Sequence, residues 1–207
     1  MATAHESRPA AKSPAPSRRR SGLFRWTVDQ VYRLSEMGFF DDTHVELIDG
    51  VLYQMTVNPP HAVAVGLISK ILDRRFGEGR FTRAQQPLDS GRRSRPEPDL
   101  AVVVGTDRDY LQGHPKAALL LVEVSDSTLR KDRVLKAHLY ARAGIADYWI
   151  VNLNDRQVEV HRGPGPDPAR KGRHRYAEVT VVGAGGQVTP LAAPGAAIAV
   201  ADLLPPG

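Results

Sequence analysis

A carboxylate stands inside one of the most apolar short runs of this chain, Leu119-Leu120-Leu121-Val122-Glu123-Val124, and its position limits what the chain can fold into. A second run, Leu100-Ala101-Val102-Val103-Val104, opens after Pro98-Asp99 and closes at Gly105. Both have the length and aliphatic content of buried strands. An ionised group inside such a strand is costly unless it is paired or bound to a cation. Glu123 therefore needs a partner. Asp99, at the mouth of the preceding strand, supplies a second hard oxygen if the two strands lie side by side, a donor pair that suits Mg²⁺ or Mn²⁺ better than zinc. The chain has no cysteine, which removes thiolate metal sites.

Downstream of Glu123, Ser125-Asp126-Ser127-Thr128 is a cluster of helix-capping residues, and good helix formers run from Leu129 to Arg142 with Gly144 just past the end. Asp132, Lys136 and Tyr140 recur every four residues, on one helical face, with Leu135 and Leu139 on a neighbouring stripe. If this helix packs beside the Glu123 strand, the Lys136 ammonium can face a phosphate or an attacking water and stabilise negative charge as it develops.

The remaining pattern predicts one folded domain over residues 23–205 behind a disordered arm over residues 1–22, which is Ala, Pro, Ser and Arg with almost nothing to bury. Within the domain we expect a helix over 27–37, a hairpin with Glu46 on its first strand and Asp49-Gly50 at its turn, and a helix over 61–76. A strand over 84–88 precedes the two apolar runs. A strand over 148–153 follows the Lys136 helix, and strands over 156–161 and 175–182 flank a Pro- and Gly-rich loop at 163–172. No internal repeat or phosphate-cradling glycine loop is present.

Charge points less clearly to a partner. Over residues 1–25, Arg8, Lys12, Arg18, Arg19, Arg20 and Arg25 against Glu6 account for the whole formal charge of +5, so the rest of the chain is formally neutral. Local clusters carry more meaning: Arg92, Arg93 and Arg95 lie upstream of Asp99, and Arg130, Lys131 and Arg133 downstream of Glu123, where they would ring the proposed site and hold phosphates. Ordinary solvated loop charges are the alternative. The twin arginines before Ser21 are not followed by the apolar stretch an export signal requires, and no run is long enough to span a membrane. We expect a cytoplasmic protein.

In order along the chain, Val45-Glu46-Leu47-Ile48-Asp49-Gly50, Pro59-Pro60-His61, Pro96-Glu97-Pro98-Asp99-Leu100, Val122-Glu123-Val124-Ser125, Ser127-Thr128, Asp132, Lys136, Tyr140 and Gly144-Ile145-Ala146-Asp147-Tyr148-Trp149-Ile150-Val151 resemble the Uma2 family. That family belongs to the PD-(D/E)xK superfamily of restriction-endonuclease-like folds. The resemblance runs from about Phe24 to Leu204. It implies an α/β fold with a three-layer core, a mixed central β-sheet flanked by helices. It also implies a metal-dependent endonuclease that hydrolyses phosphodiester bonds of nucleic acid, with DNA the expected substrate, through water activated by Mg²⁺ or Mn²⁺. The implied metal ligands are Asp99, Glu123 and Glu46. One departure matters: the superfamily lysine two residues after the second acid is here Ser125, so Lys136 is the expected substitute, with Asp132 anchoring it. His61 is expected to position other groups rather than to ligate, and Tyr140 to line the site.

Each residue also has a plainer reading. Asp99 can be a strand-start residue, Glu123 can face solvent from a half-exposed strand, and Glu46 can be an exposed hairpin residue. Asp132 and Lys136 can be a surface pair. At the level of function, the alternatives are a nucleic-acid-binding module that kept the fold and lost the chemistry, and a homodimer built on an exposed sheet edge.

Overall fold

The computed structural model describes residues 22–56 and 58–206, and the basic arm expected over 1–22 lies outside them except for Gly22. Its centre is a six-stranded sheet of order β3-β4-β5-β6-β7-β8, formed by Arg80–Ala84, Leu100–Val104, Leu120–Ser125, Asp147–Asn152, Gln157–Pro166 and His174–Gly183. Only β5 and β6 run parallel in this mixed sheet. A parallel neighbour needs a crossover, which a continuous helical segment between them supplies: α3 (Leu129–Lys131), a π turn (Asp132–Lys136) and α4 (Ala137–Arg142).

Strand alternation sorts the core into two halves. Leu100, Val102, Leu120 and Val122 pack with Ala64, Ile68 and Leu72 of α2 (Pro59–Phe76) on one face. Ala101, Val103 and Leu121 pack with Leu139 and Tyr140 of α4 on the other. The result is the three-layer arrangement of helix, sheet and helix that the family resemblance implied. Glu123 has the parity of Leu121, so it falls on the α4 face, beneath Lys136 and Tyr140.

Two local features aim further residues at the same place. Asn58 caps α2 by accepting from the His61 N–H at 3.0 Å, and Pro59 and Pro60 fill the first turn where no donor is needed. The Asn58 amide is itself bonded to Asp126 just after β5, which fixes that first turn beside the strand. The hairpin of β1 (Val45–Ile48) and β2 (Val51–Gln54) turns at Asp49 (φ 47°) and Gly50 (φ 78°), the left-handed pair expected of an Asp-Gly turn. A Cβ added at Gly50 would lie 2.8 Å from Arg25 Cβ, so glycine is also required for space.

Two boundaries differ from those read in the sequence. The strand expected over 84–88 lies earlier, at Arg80–Ala84, because Gln85 adopts φ 50° and leaves the ladder; Leu88 is buried beyond it without being in a strand. The loop expected at 163–172 is much shorter, since β7 reaches Pro166 and pairs Pro164 with Tyr176. Beyond Arg162, β7 has β8 on one side and no ladder to β6 on the other, so its prolines cost no pairing on that open side.

Candidate active site

The register that sets Leu100 opposite Val122 brings Asp99 alongside Glu123 at the end of β4 and β5. Both carboxylates line a cleft of about 160 Å³ that also takes in Glu46 from β1, His61 from α2, and Lys131, Asp132 and Lys136 from the crossover helix. Asp99 is fixed from two sides. Its Oδ2 accepts from the Val124 N–H at 2.8 Å and from His61 Nε2 at 3.0 Å. Burial alone would lower the His61 pKa, but the hydrogen bond and charge of Asp99 outweigh it, so His61 is raised and donates.

Lys136 is 2% exposed, and its ammonium sits 2.8 Å from Glu46 Oε2 and 2.9 Å from Glu123 Oε1, with the Glu97 carbonyl at 3.5 Å. Burial works against that charge, yet Glu123 and Glu46 more than offset it and hold Lys136 protonated. Glu123 also accepts from the Tyr140 hydroxyl at 2.5 Å. Burial pushes Glu123 up to about 8; Lys136 pulls it down, while Asp99, Asp132 and Glu46 add to the push. Glu46 goes the opposite way. Burial would raise it, but Lys136 and Lys131 together draw it below the usual range. Lys131 Nζ is 2.5 Å from Glu46 Oε1, a close ion pair without hydrogen-bond alignment, since Oε1 has no hydrogen-bond donor among the described residues.

The plainer readings of Glu46, Glu123, Asp132 and Lys136 as surface residues do not hold, for all four are buried. Asp132 and Lys136, four residues apart and so on one helical face, both turn inward from the π turn while Val134 stays 53% exposed. Asp132 does not anchor Lys136 as expected. Its Oδ2 accepts from Ser125 Oγ at 2.5 Å and Thr128 Oγ1 at 2.7 Å. Ser125, where the resemblance led a lysine to be expected, thus tethers the π turn instead.

A model of the Uma2 family, described as "Putative restriction endonuclease", matches residues 28–201. The chain belongs to the Uma2 family. Among solved structures, a protein from Anabaena variabilis ATCC 29413, described as a putative nuclease belonging to DUF820, is similar with a TM-score of 0.66 and 16% identity. The alignment covers 86% of this chain and 97% of that one, and at such identity it speaks for the fold alone. No curated protein matches the chain.

Within this Uma2 chain the structure brings together all four principal site residues expected from the sequence, Glu46, Asp99, Glu123 and Lys136, and places His61 and Tyr140 on two of their carboxylates. The ring of cations is sparser than expected. Lys131 lines the cleft, but Arg133 is spent on Glu159 and Arg95 on Asp89. Sequence reading assigned no role to Glu97, whose N–H donates to Glu46 Oε2 at 3.3 Å, nor to Thr128 beyond capping. The Pro96-Glu97-Pro98 frame was a usable signal for the first, because a residue between two prolines is held extended. Among the described residues, no three Asp, Glu or His side chains are gathered closely enough to hold a metal ion by themselves.

Proposed function

We propose that this protein is an endonuclease that hydrolyses phosphodiester bonds of DNA with the help of Mg²⁺ or Mn²⁺. The observation that carries the reading is the convergence of Asp99, Glu123, Glu46 and Lys136 on one cleft, where a structural role would not require three acids and a buried lysine. Membership of the Uma2 family, described as "Putative restriction endonuclease", supports the reading.

The donor set fits the ion. Mg²⁺ needs only one or two carboxylates, because it keeps several waters and takes further oxygens from phosphate. Asp99 and Glu123 are neighbours on adjacent strands, and a carboxyl held up by burial and three nearby acids gains from an added cation. Asp99 and Glu123 would hold the ion. When bound, it supplies positive charge to the phosphate and acidifies a water. Glu46 is engaged by two lysines and acts through them, holding Lys136 at the floor of the cleft. Lys136 presents its ammonium to the negative charge that builds on the phosphate. Tyr140 and the Val124 N–H fix the two ligand carboxylates, so that little reorganisation is needed at reaction.

We further propose a cytoplasmic protein that assembles as a homodimer through an exposed sheet edge. Among the described residues no helix is long and apolar enough to cross a membrane. The second reading, a module that binds nucleic acid without cutting it, is favoured by Lys136, which already neutralises the Glu46 and Glu123 carboxylates. Nicking of supercoiled plasmid decides between them. Nicking in Mg²⁺ that stops with EDTA and with Glu123→Gln supports the endonuclease; retention of plasmid without nicking supports the binding module.

A further inference from the structure

Across β1 from the cleft lies a second cavity, of about 540 Å³, that the catalytic reading leaves unused. Strand alternation separates the two spaces. Glu46 turns into the cleft, whereas Val45 and Leu47 on either side of it line the cavity. The residue Glu97 is their common wall. Its N–H and carbonyl bond to Glu46 and Lys136 on the cleft side, and its side chain lines the cavity.

We propose that this cavity receives an unstacked nucleobase of the strand being cut, one whose edge donates hydrogen bonds, with guanine the best match. The proposal rests on the nuclease reading above and names how that site would select its substrate. The volume falls within the ordinary range of small-ligand pockets, roughly 300–1,000 Å³.

The lining matches a base in two ways. First, it offers flat walls: Phe40, and Tyr32 with the Arg95 guanidinium stacked 4.1 Å from its ring centroid. Rings and guanidinium planes are the surfaces on which proteins receive unstacked bases. Arg95 is held in that pose by two contacts to Asp89 Oδ1, at 2.8 and 3.1 Å. Second, three carboxylates stand among the polar groups of the lining, beside the Ser35 and Thr43 hydroxyls. Asp41, Asp42 and Glu97 line the space, and His44 occupies one oxygen of Glu97 at 2.5 Å.

Three carboxylates facing one guanidinium already committed to Asp89 repel a phosphate and suit N–H donors. Guanine sets an imino N–H beside an amino group, so one carboxylate can accept from both at once. Thymine has a single N–H flanked by two carbonyl oxygens, which the carboxylates repel.

Calorimetric titration of guanosine into the full-length protein in EDTA tests the cavity apart from any cleavage. The expected result is saturable binding that Tyr32→Ala weakens by about tenfold or more, the scale of a lost stacking contact. Tyr32→Phe and Glu123→Gln should bind as the wild type does, and thymidine should bind at least about tenfold more weakly than guanosine. Tyr32 is 44% exposed on α1 (Val28–Glu36), so its replacement leaves the core intact. Absence of guanosine binding, binding untouched by Tyr32→Ala, or equal binding of thymidine would overturn the proposal. A protein that binds guanosine as stated but fails to nick plasmid supports the base pocket and removes the endonuclease; one that nicks plasmid but ignores guanosine does the reverse.

Discussion

Lys136→Met removes the buried ammonium while keeping its apolar stem, and the structure allows the consequence to be worked through. The ammonium lies 2.8 Å from Glu46 and 2.9 Å from Glu123, whose side chains are 0% and 5% exposed. Glu46 retains Lys131 after the substitution, so the carboxylate left without a cation is Glu123, with the Tyr140 hydroxyl as its remaining partner. Breaking a buried pair from one side costs about 3–5 kcal/mol, a large part of a typical domain's stability of roughly 5–15 kcal/mol. Equilibrium urea unfolding at pH 9, above the value of about 8 to which burial pushes Glu123 so that it is ionised in the wild type, followed by the fluorescence of buried Trp149, should show a midpoint lowered by more than about 1 M with an unchanged slope. Adding Glu123→Gln removes the stranded charge and should recover at least ~1.5 kcal/mol, a strongly non-additive result. A loss below about 1 kcal/mol for the single variant, or no recovery in the double, would refute the claim that these charges share a dry site.

Tyr140→Phe takes one of the two donors from Glu123 Oε1 and should cost about 1.5–3 kcal/mol in the same unfolding assay, as expected for a lost bond to a buried charged group. Glu159 provides a pH test away from the cleft. Burial would raise it, but the paired Arg133 guanidinium, at 2.6 and 2.9 Å, holds it at about 2 from an ordinary 4.5; His161, at 3.7 Å, is too distant for a hydrogen bond and counts for less. A depressed carboxyl stabilises the fold above pH 4.5 and loses that contribution as the pH falls towards 2. Thermal melts should therefore show an acid limb across that window, flattened in Arg133→Ala; an unchanged limb would remove Glu159 from the account.

The apolar runs of β4 and β5 made the sheet legible because both are buried on two faces, where side-chain type is dictated by packing. Glu123 was legible for the same reason, as a charge that the surrounding run cannot tolerate unpaired. Less could be read where geometry depends on backbone rather than composition. Nothing in Asp132-Arg133-Val134-Leu135-Lys136 distinguishes a π turn from an α-helix, so the four-residue spacing was read as an ordinary helical pair. The same limit hid the tether from Ser125, which attracted notice only for not being lysine. The strand boundary at Ala84 was misplaced because Gln85 has no residue-type signal for a positive φ, and Leu88 extended the apolar pattern past the break. The cation ring was overcounted because sequence proximity to Asp99 and Glu123 does not reveal that Arg95 and Arg133 already have carboxylate partners.

The central claim is that Asp99 and Glu123 together hold a divalent ion in a cleft shaped by Lys136. Calorimetric titration of Mn²⁺ into the wild type and into Asp99→Ala with Glu123→Ala tests it most directly, with circular dichroism to verify that the double variant is folded. The account predicts saturable binding by the wild type that disappears in the folded double variant. A wild type that binds no Mn²⁺, or a double variant that binds it equally well, would contradict it.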